Sequence, residues 1–170
     1  KALGSTGESY EEVVYEGYGP AGVAVIVEAT TDNRNRTARD VRHILDKFGG
    51  NLGTNGSVSW MFDKKGVLII DNSEGELDED TVMMDALDAG ALDFDPGEDS
   101  FEILTAPNDF SQVRDALEAK GYTFVEAAVS MIPQNYTTLD NEKQLEQIEK
   151  LLDGLEDNDD VMEVWHNWEN

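Results

Sequence analysis

Apolar positions along the chain repeat at two spacings, and these mark out its elements. The run VAVIVEATT from Val23 is almost unbroken and rich in β-branched residues, which predicts a buried strand. Val41, Ile44, Leu45 and Phe48 then follow at i, i+3, i+4 and i+7, the stripe of an amphipathic helix. Asp32 or Thr37 is placed to cap its start, and Gly49 and Gly50 to end it. Residues 57–63 and 66–71 read as a hairpin turning at Lys64, Lys65 and Gly66. Ahead of these, Val13, Val14 and Tyr15 form a short strand and GYGPAG a turn. After them comes a helix from Leu77 to Ala89, stopped by Gly90, then strands ALDFD and SFEILTA joined at PGED. Phe110, Val113 and Leu117 mark a helix, capped by Asn108 or Asp109 and ended by Gly121. YTFVEAAVSMI is a strand closed by Pro133, Leu145, Ile148, Leu152 and Leu155 mark the last helix, and VMEVWHNW is the last strand.

The order of the elements predicts the architecture. With residues 72–134 set aside, the rest reads β (23–30), α (37–48), β (57–63), β (67–71), α (140–153), β (161–168). That is βαββαβ, the ferredoxin-like motif. The segment set aside reads αββαβ. The expected fold class is therefore α+β: a discontinuous ferredoxin-like domain of residues 13–71 and 135–170, with a second small α+β domain, 72–134, inserted. Residues 1–12 read as a linker.

Composition adds exclusions. Of 170 residues 39% are apolar, enough for a buried core. The absence of cysteine excludes disulfides, zinc–thiolate sites and cysteine nucleophiles. No apolar run approaches the ~18 residues of a membrane span. The balance of 37 acids to 12 Lys and Arg gives a net charge of −25, which opposes indiscriminate binding to nucleic acid or anionic membranes.

The distribution of charge is uneven. Residues 34–65 hold seven bases and three acids, whereas residues 66–170 hold four bases and 28 acids. Four of the five arginines (Arg34, Arg36, Arg39 and Arg42) fall within nine residues, followed by Lys47, Lys64 and Lys65. On a helix, Arg36, Arg39, His43 and Lys47 share an arc of about 80° opposite the apolar stripe. Three readings follow. The arc is a solvated face with local pairs such as Asp40 with Arg36 and Asp46 with Arg42. Or it contacts phosphates, for which arginine is suited by its bidentate fork. Or it docks against the chain's own acidic half.

Other candidate chemistry is sparse. His43 and His166 are the only histidines, and no GxSxG nucleophile motif is present. GGNLGTNGS follows a helix instead of preceding one, so it reads as a cap and a connection, not as a phosphate loop; Asn51, Thr54 and Asn55 are its polar surface. In DFDPGEDSFE the sixth position from Asp93 is Glu98, where a calcium loop needs glycine, so Asp93, Asp95, Asp99 and Glu102 read as a solvated turn. Trp60 and Phe62 alternate on one strand; without an RNP1 pattern they read as core packing ahead of an RNA platform. No cofactor or metal site is expected.

The stretch YEGYGPAGVAVIVEATTDNRNRTARDVRHILDKFGGNLGTNGSVSWMFDKKGV closely resembles the YebC family, as do VSMIPQNYTTLD and the closing DDVMEVWHNWE. This family also contains the mitochondrial activator of cytochrome oxidase translation. The resemblance implies an intracellular protein without enzymatic activity, in the cytoplasm or, in a eukaryote, the mitochondrial matrix. It implies an N-terminal helical domain followed by two α+β domains, one inserted in the other. KALGSTGES resembles the end of that helical domain and its linker, so the domain itself is expected to be absent. Members are described as DNA-binding transcriptional regulators. They are also linked to translation, with bacterial members helping ribosomes through proline-rich stretches. The expected function is a regulator of gene expression meeting the ribosome or structured RNA through Arg34, Arg36, Arg39, Arg42, His43, Lys47, Lys64 and Lys65. The alternatives are a DNA-binding transcriptional regulator, or an acidic module binding basic proteins through residues 66–170. No membrane or small-molecule substrate is expected.

Overall fold

The computed structural model describes residues 9–169, so the expected helix remnant in KALGSTGES lies almost wholly outside the described residues. In chain order the elements are β1 (Glu11–Tyr18), β2 (Ala24–Thr31), α1 (Arg34–Lys47), β3 (Asn51–Leu52), β4 (Phe62–Asp71), α2 (Glu79–Ala89), β5 (Asp93–Pro96) and β6 (Ser100–Thr105). Then follow α3 (Phe110–Ala119), β7 (Glu126–Pro133), β8 (Thr137–Thr138), α4 (Glu142–Asp157), β9 (Val161–His166) and β10 (Trp168–Glu169). The described residues up to Phe62 and from Pro133 form one compact unit, and Asp63–Ile132 form another, inserted in it.

The outer unit holds a four-stranded sheet in the order β3-β1-β2-β9, with every neighbouring pair antiparallel. Val25 and Val27 of β2 turn to a core that Val41 and Leu45 of α1 and Ile148, Leu151 and Leu155 of α4 fill. A residue every second position on the strand thus meets apolar residues three or four apart on the helices. β8 and β10 form a separate parallel pair. The inserted unit has its own sheet, β5-β6-β4-β7, and its own core around Leu68, Ile103, Val82, Val113 and Leu117.

The α+β class is as expected, but the strands are distributed differently. The predicted hairpin at Lys64, Lys65 and Gly66 does not exist, because residues 62–71 are one continuous strand. Gly66 sits opposite Thr105 in the β4–β6 ladder. A Cβ there would lie 2.1 Å from Thr105 Oγ1 and 2.8 Å from the Phe110 ring. This glycine admits a close neighbour and does not turn the chain.

With β4 whole, the inserted unit runs β4-α2-β5-β6-α3-β7, which is itself βαββαβ. Its sheet places β6 between β4 and β5, the split βαβ arrangement. The outer unit reaches the same sheet order by another route: β1 lies between β2 and β3, yet comes first in the chain. The expected three-residue strand at Val13 is thus an eight-residue central strand, and GYGPAG turns only after Tyr18. The domain limits expected at 71/72 and 134/135 accordingly lie at 62/63 and 132/133.

Candidate nucleic-acid interface

The basic stretch forms α1, and its local chemistry follows from its flanks. Asn33, in place of the expected Asp32 or Thr37, caps the helix, its side chain accepting from the Arg36 backbone N–H at 3.1 Å. Gly49, at φ +86°, takes the left-handed position after the helix, where glycine carries no Cβ penalty. Val41 and Leu45 are buried, which fixes the rotation of the helix and turns Arg39, Arg42, His43 and Lys47 outward.

The first turn carries no acidic residue and two arginines, Arg34 and Arg36. Positive charge there opposes the helix dipole by about 0.3–1 kcal/mol per charge. The chain supplies carboxylates from elsewhere. Arg36 donates to both oxygens of Asp160, at 3.1 and 2.9 Å, and to Asp32 at 3.0 Å. The buried Thr37 hydroxyl donates to Asp160 at 2.8 Å, and the Asp160 carbonyl accepts from the Thr30 backbone N–H at 2.9 Å. Partial burial pushes the Asp160 carboxyl up, but hydrogen bonds from Arg36 and Thr37 outweigh it and hold it below its ordinary value. Arg34 lies 3.5 Å from Glu11, both exposed.

The later turns differ. Arg39, Arg42 and His43 are exposed and form no ion pair with any described residue. Lys47 lies 5.4 Å from the centre of the Phe48 ring. The local pairs Asp40 with Arg36 and Asp46 with Arg42 are not among the ion pairs; Arg36 turns instead to Asp32 and Asp160. Docking onto the chain's acidic half therefore describes Arg36 alone, through Asp160, since Arg34 pairs with Glu11 ahead of the helix. Arg39, Arg42, His43 and Lys47 are left as one face without an ion pair to any described residue. Lys64 and Lys65 belong to β4 of the inserted unit, Lys64 exposed and Lys65 half-buried. The eight predicted residues are thus divided between the two units.

Glu16 was not anticipated. It is a buried carboxylate on β1, 6% exposed. Its oxygens accept from the backbone N–H groups of Gly56 at 2.7 Å, Val58 at 3.0 Å and Ser59 at 2.7 Å. Burial raises its pKa, but these bonds prevail and set it below the ordinary 4.5. The end of the glycine-rich loop, at Gly56, and the two residues after Ser57 gather N–H groups around an anion, and the anion is the chain's own glutamate. The only sequence hint is a glycine-rich run without a phosphate motif.

Trp60 also departs from expectation. It lies in a single helical turn, Ser59–Met61, ahead of β4, so it does not alternate with Phe62 on one strand. Phe62 is buried at 5%, whereas Trp60 is 66% exposed. His166 is half-buried at the end of β9, its Nδ1 accepting from the Trp168 backbone N–H at 3.1 Å. Burial lowers its pKa, against the opposing pull of Glu156. Glu102 on β6 is pushed above its ordinary value by burial and by the charges of Asp95, Glu126 and Asp93.

Two nested α+β units, the outer one carrying a basic helix on a strongly acidic chain, define the class of protein. Residues 10–168 match the family described as TACO1/YebC second and third domain, and the chain belongs to it. It is 63% identical over 169 residues to a probable transcriptional regulatory protein of Acetivibrio thermocellus, covering 99% of this chain and 69% of that protein. A protein of the same description from Ruminiclostridium cellulolyticum is 59% identical over 170 residues, covering 99% and 68%. Among solved structures, a conserved hypothetical protein of Aquifex aeolicus is similar at TM-score 0.80 and 42% identity, covering 99% of this chain and 68% of that one. No helix among the described residues is long and apolar enough to cross a membrane.

Proposed function

We propose that the protein is a non-enzymatic, cytoplasmic regulator of gene expression that meets a polyanion through the solvent face of α1. The carrying observation is that Arg39, Arg42 and His43 stay exposed, with no ion pair to any described residue, on a chain with 37 acidic residues, while Arg36 on the same helix is paired with Asp32 and Asp160. A surplus of carboxylates that leaves these bases unneutralised keeps one face for an external anion and repels nucleic acid elsewhere. The family's link to translation supports structured RNA of the ribosome as that anion, in helping ribosomes through proline-rich stretches. The relatives' names, probable transcriptional regulatory proteins, support the second reading, a transcriptional regulator, for which the polyanion would be DNA.

Binding to ribosomes and to promoter-length duplex DNA across a salt series tests the proposal. Counterion release gives a slope of log affinity against log salt of about 0.9 per phosphate on duplex DNA and about 0.7 on single strands. Salt-sensitive ribosome binding stronger than DNA binding is the expected result. The reverse ranking establishes the transcriptional reading. Binding to neither removes the nucleic-acid role and leaves the inserted unit, with 18 acids against four bases, as a docking module for a basic protein.

A further inference from the structure

We infer that Trp60 and the Asn135 amide beside it form a binding site for an unpaired nucleobase. The inference rests on the proposed nucleic-acid role and adds to it a base contact distinct from the phosphate contacts of α1.

Among the described residues of the outer unit, Trp60 is the most exposed aromatic, at 66%. An indole left in water forfeits the burial that a ring of this size normally brings to a core. The ring is also held in place. Its Nε1–H donates to the Ser57 carbonyl at 3.0 Å, and the Tyr18 hydroxyl donates to the same carbonyl at 3.3 Å. The loop carrying that carbonyl is clamped by Glu16 at Gly56, Val58 and Ser59. From the other side, Gln134 Nε2 donates to the Trp60 carbonyl at 3.1 Å, and the Gln134 backbone N–H to the Met61 carbonyl at 2.9 Å. With its only polar edge satisfied, the indole has its apolar face left to offer.

The surroundings suit a base. A cavity of about 120 Å³ is lined by Trp60, Met61, Gln134, Asn135 and Asn167, all in the outer unit. Tyr136, 55% exposed, follows in sequence. Two of the lining amides are used within the fold: Gln134 on the Trp60 carbonyl, and Asn167, whose Oδ1 accepts from the Ala24 backbone N–H at 2.8 Å. The exposed Asn135 amide supplies the donor and acceptor for the edge of a splayed base, and the indole supplies the platform to stack on. A ring anchored before binding loses little freedom when the base arrives. Glu16 is a positioning residue here; it holds the loop and does not meet the base.

The test is titration of the protein with short single-stranded RNA and DNA oligonucleotides, followed by tryptophan fluorescence and anisotropy. Trp60→Ala is expected to weaken binding roughly 5- to 150-fold, the range that loss of one stacked base gives. Its salt slope should match that of the unaltered protein, because the bases that meet phosphate are all still in place. Trp60→Phe should recover most of the affinity. Asn135→Ala should change the ranking among bases more than the mean affinity. If Trp60→Ala binds as tightly as the unaltered protein while charge reversal on α1 abolishes binding, base stacking is refuted and the proposed function stands. If the unaltered protein binds ribosomes or duplex DNA but no single-stranded oligonucleotide, base stacking is refuted and the proposed function stands; if it binds none of them, both are refuted. Preference for RNA over DNA oligonucleotides of the same sequence would place the natural ligand among RNAs.

Discussion

The two ends of α1 carry the same kind of side chain and use it differently. At the first turn, Arg34 and Arg36 are met by Glu11, Asp32 and Asp160. Further along, Arg39, Arg42 and His43 meet solvent. The first group opposes the helix dipole and needs carboxylates nearby; Lys47, in the last turn, agrees with the dipole. A cluster of positive charge is therefore not one feature. Its members separate into fold-holding and ligand-facing residues once their partners are known. The same contrast appears between Glu16, which occupies the N–H groups of the glycine-rich loop, and Trp60, which that loop presents to solvent.

Breaking the fold-holding side should cost stability. Glu16→Ala strands three backbone N–H groups around a buried site and is expected to cost about 2–3 kcal/mol in chemical denaturation. Asp160→Ala removes the acceptor shared by Arg36 and Thr37 and should cost about 1–2 kcal/mol, less because the pair is partly exposed. In both variants the salt slope of nucleic-acid binding should stay as it was.

Acid should produce a smaller effect at the same groups. Asp160 and Glu16 both have folded pKa values below their unfolded ones. Their contribution to stability is complete above the ordinary carboxylate values of 3.8 and 4.5, and is lost as pH falls through the lowered folded values. Thermal midpoints recorded from neutral pH downward should fall more steeply for the unaltered protein than for Asp160→Asn, which has no proton to take up. Equal slopes would show that the Asp160 carboxylate does not hold this end of α1.

How much of this could be read in the sequence depended on the range of the interaction. α1, its glycine stop and the strand at Val23 were legible because periodicity and caps act within a few residues. The family was legible from its long motifs. The whole of β4 was not, because Lys64, Lys65 and Gly66 have the composition of a turn, and only the approach of Thr105 explains the glycine. The central position of β1 follows from pairing with β2 and β3, which no local pattern encodes. Within the site, the outward arc of α1 was legible. The engagement of Arg36 was not, since Asp160 lies 124 residues away. The exposure of Trp60 was hidden because one helical turn breaks the alternation that would pair it with Phe62.

The central claim is that the solvent face of α1, and not its first turn, meets the phosphates of the polyanion. The most direct measurement is the salt dependence of ribosome binding for three proteins: the unaltered chain, Arg39→Glu with Arg42→Glu, and Arg36→Gln. The double reversal should lower affinity at least about tenfold and flatten the slope by roughly 0.7–0.9 for each phosphate no longer neutralised. Its stability should change by less than about 0.5 kcal/mol, as expected for exposed unpaired residues. Arg36→Gln should lose stability and keep the slope. A flattened slope for Arg36→Gln, with Arg39→Glu and Arg42→Glu leaving it unchanged, would contradict the account.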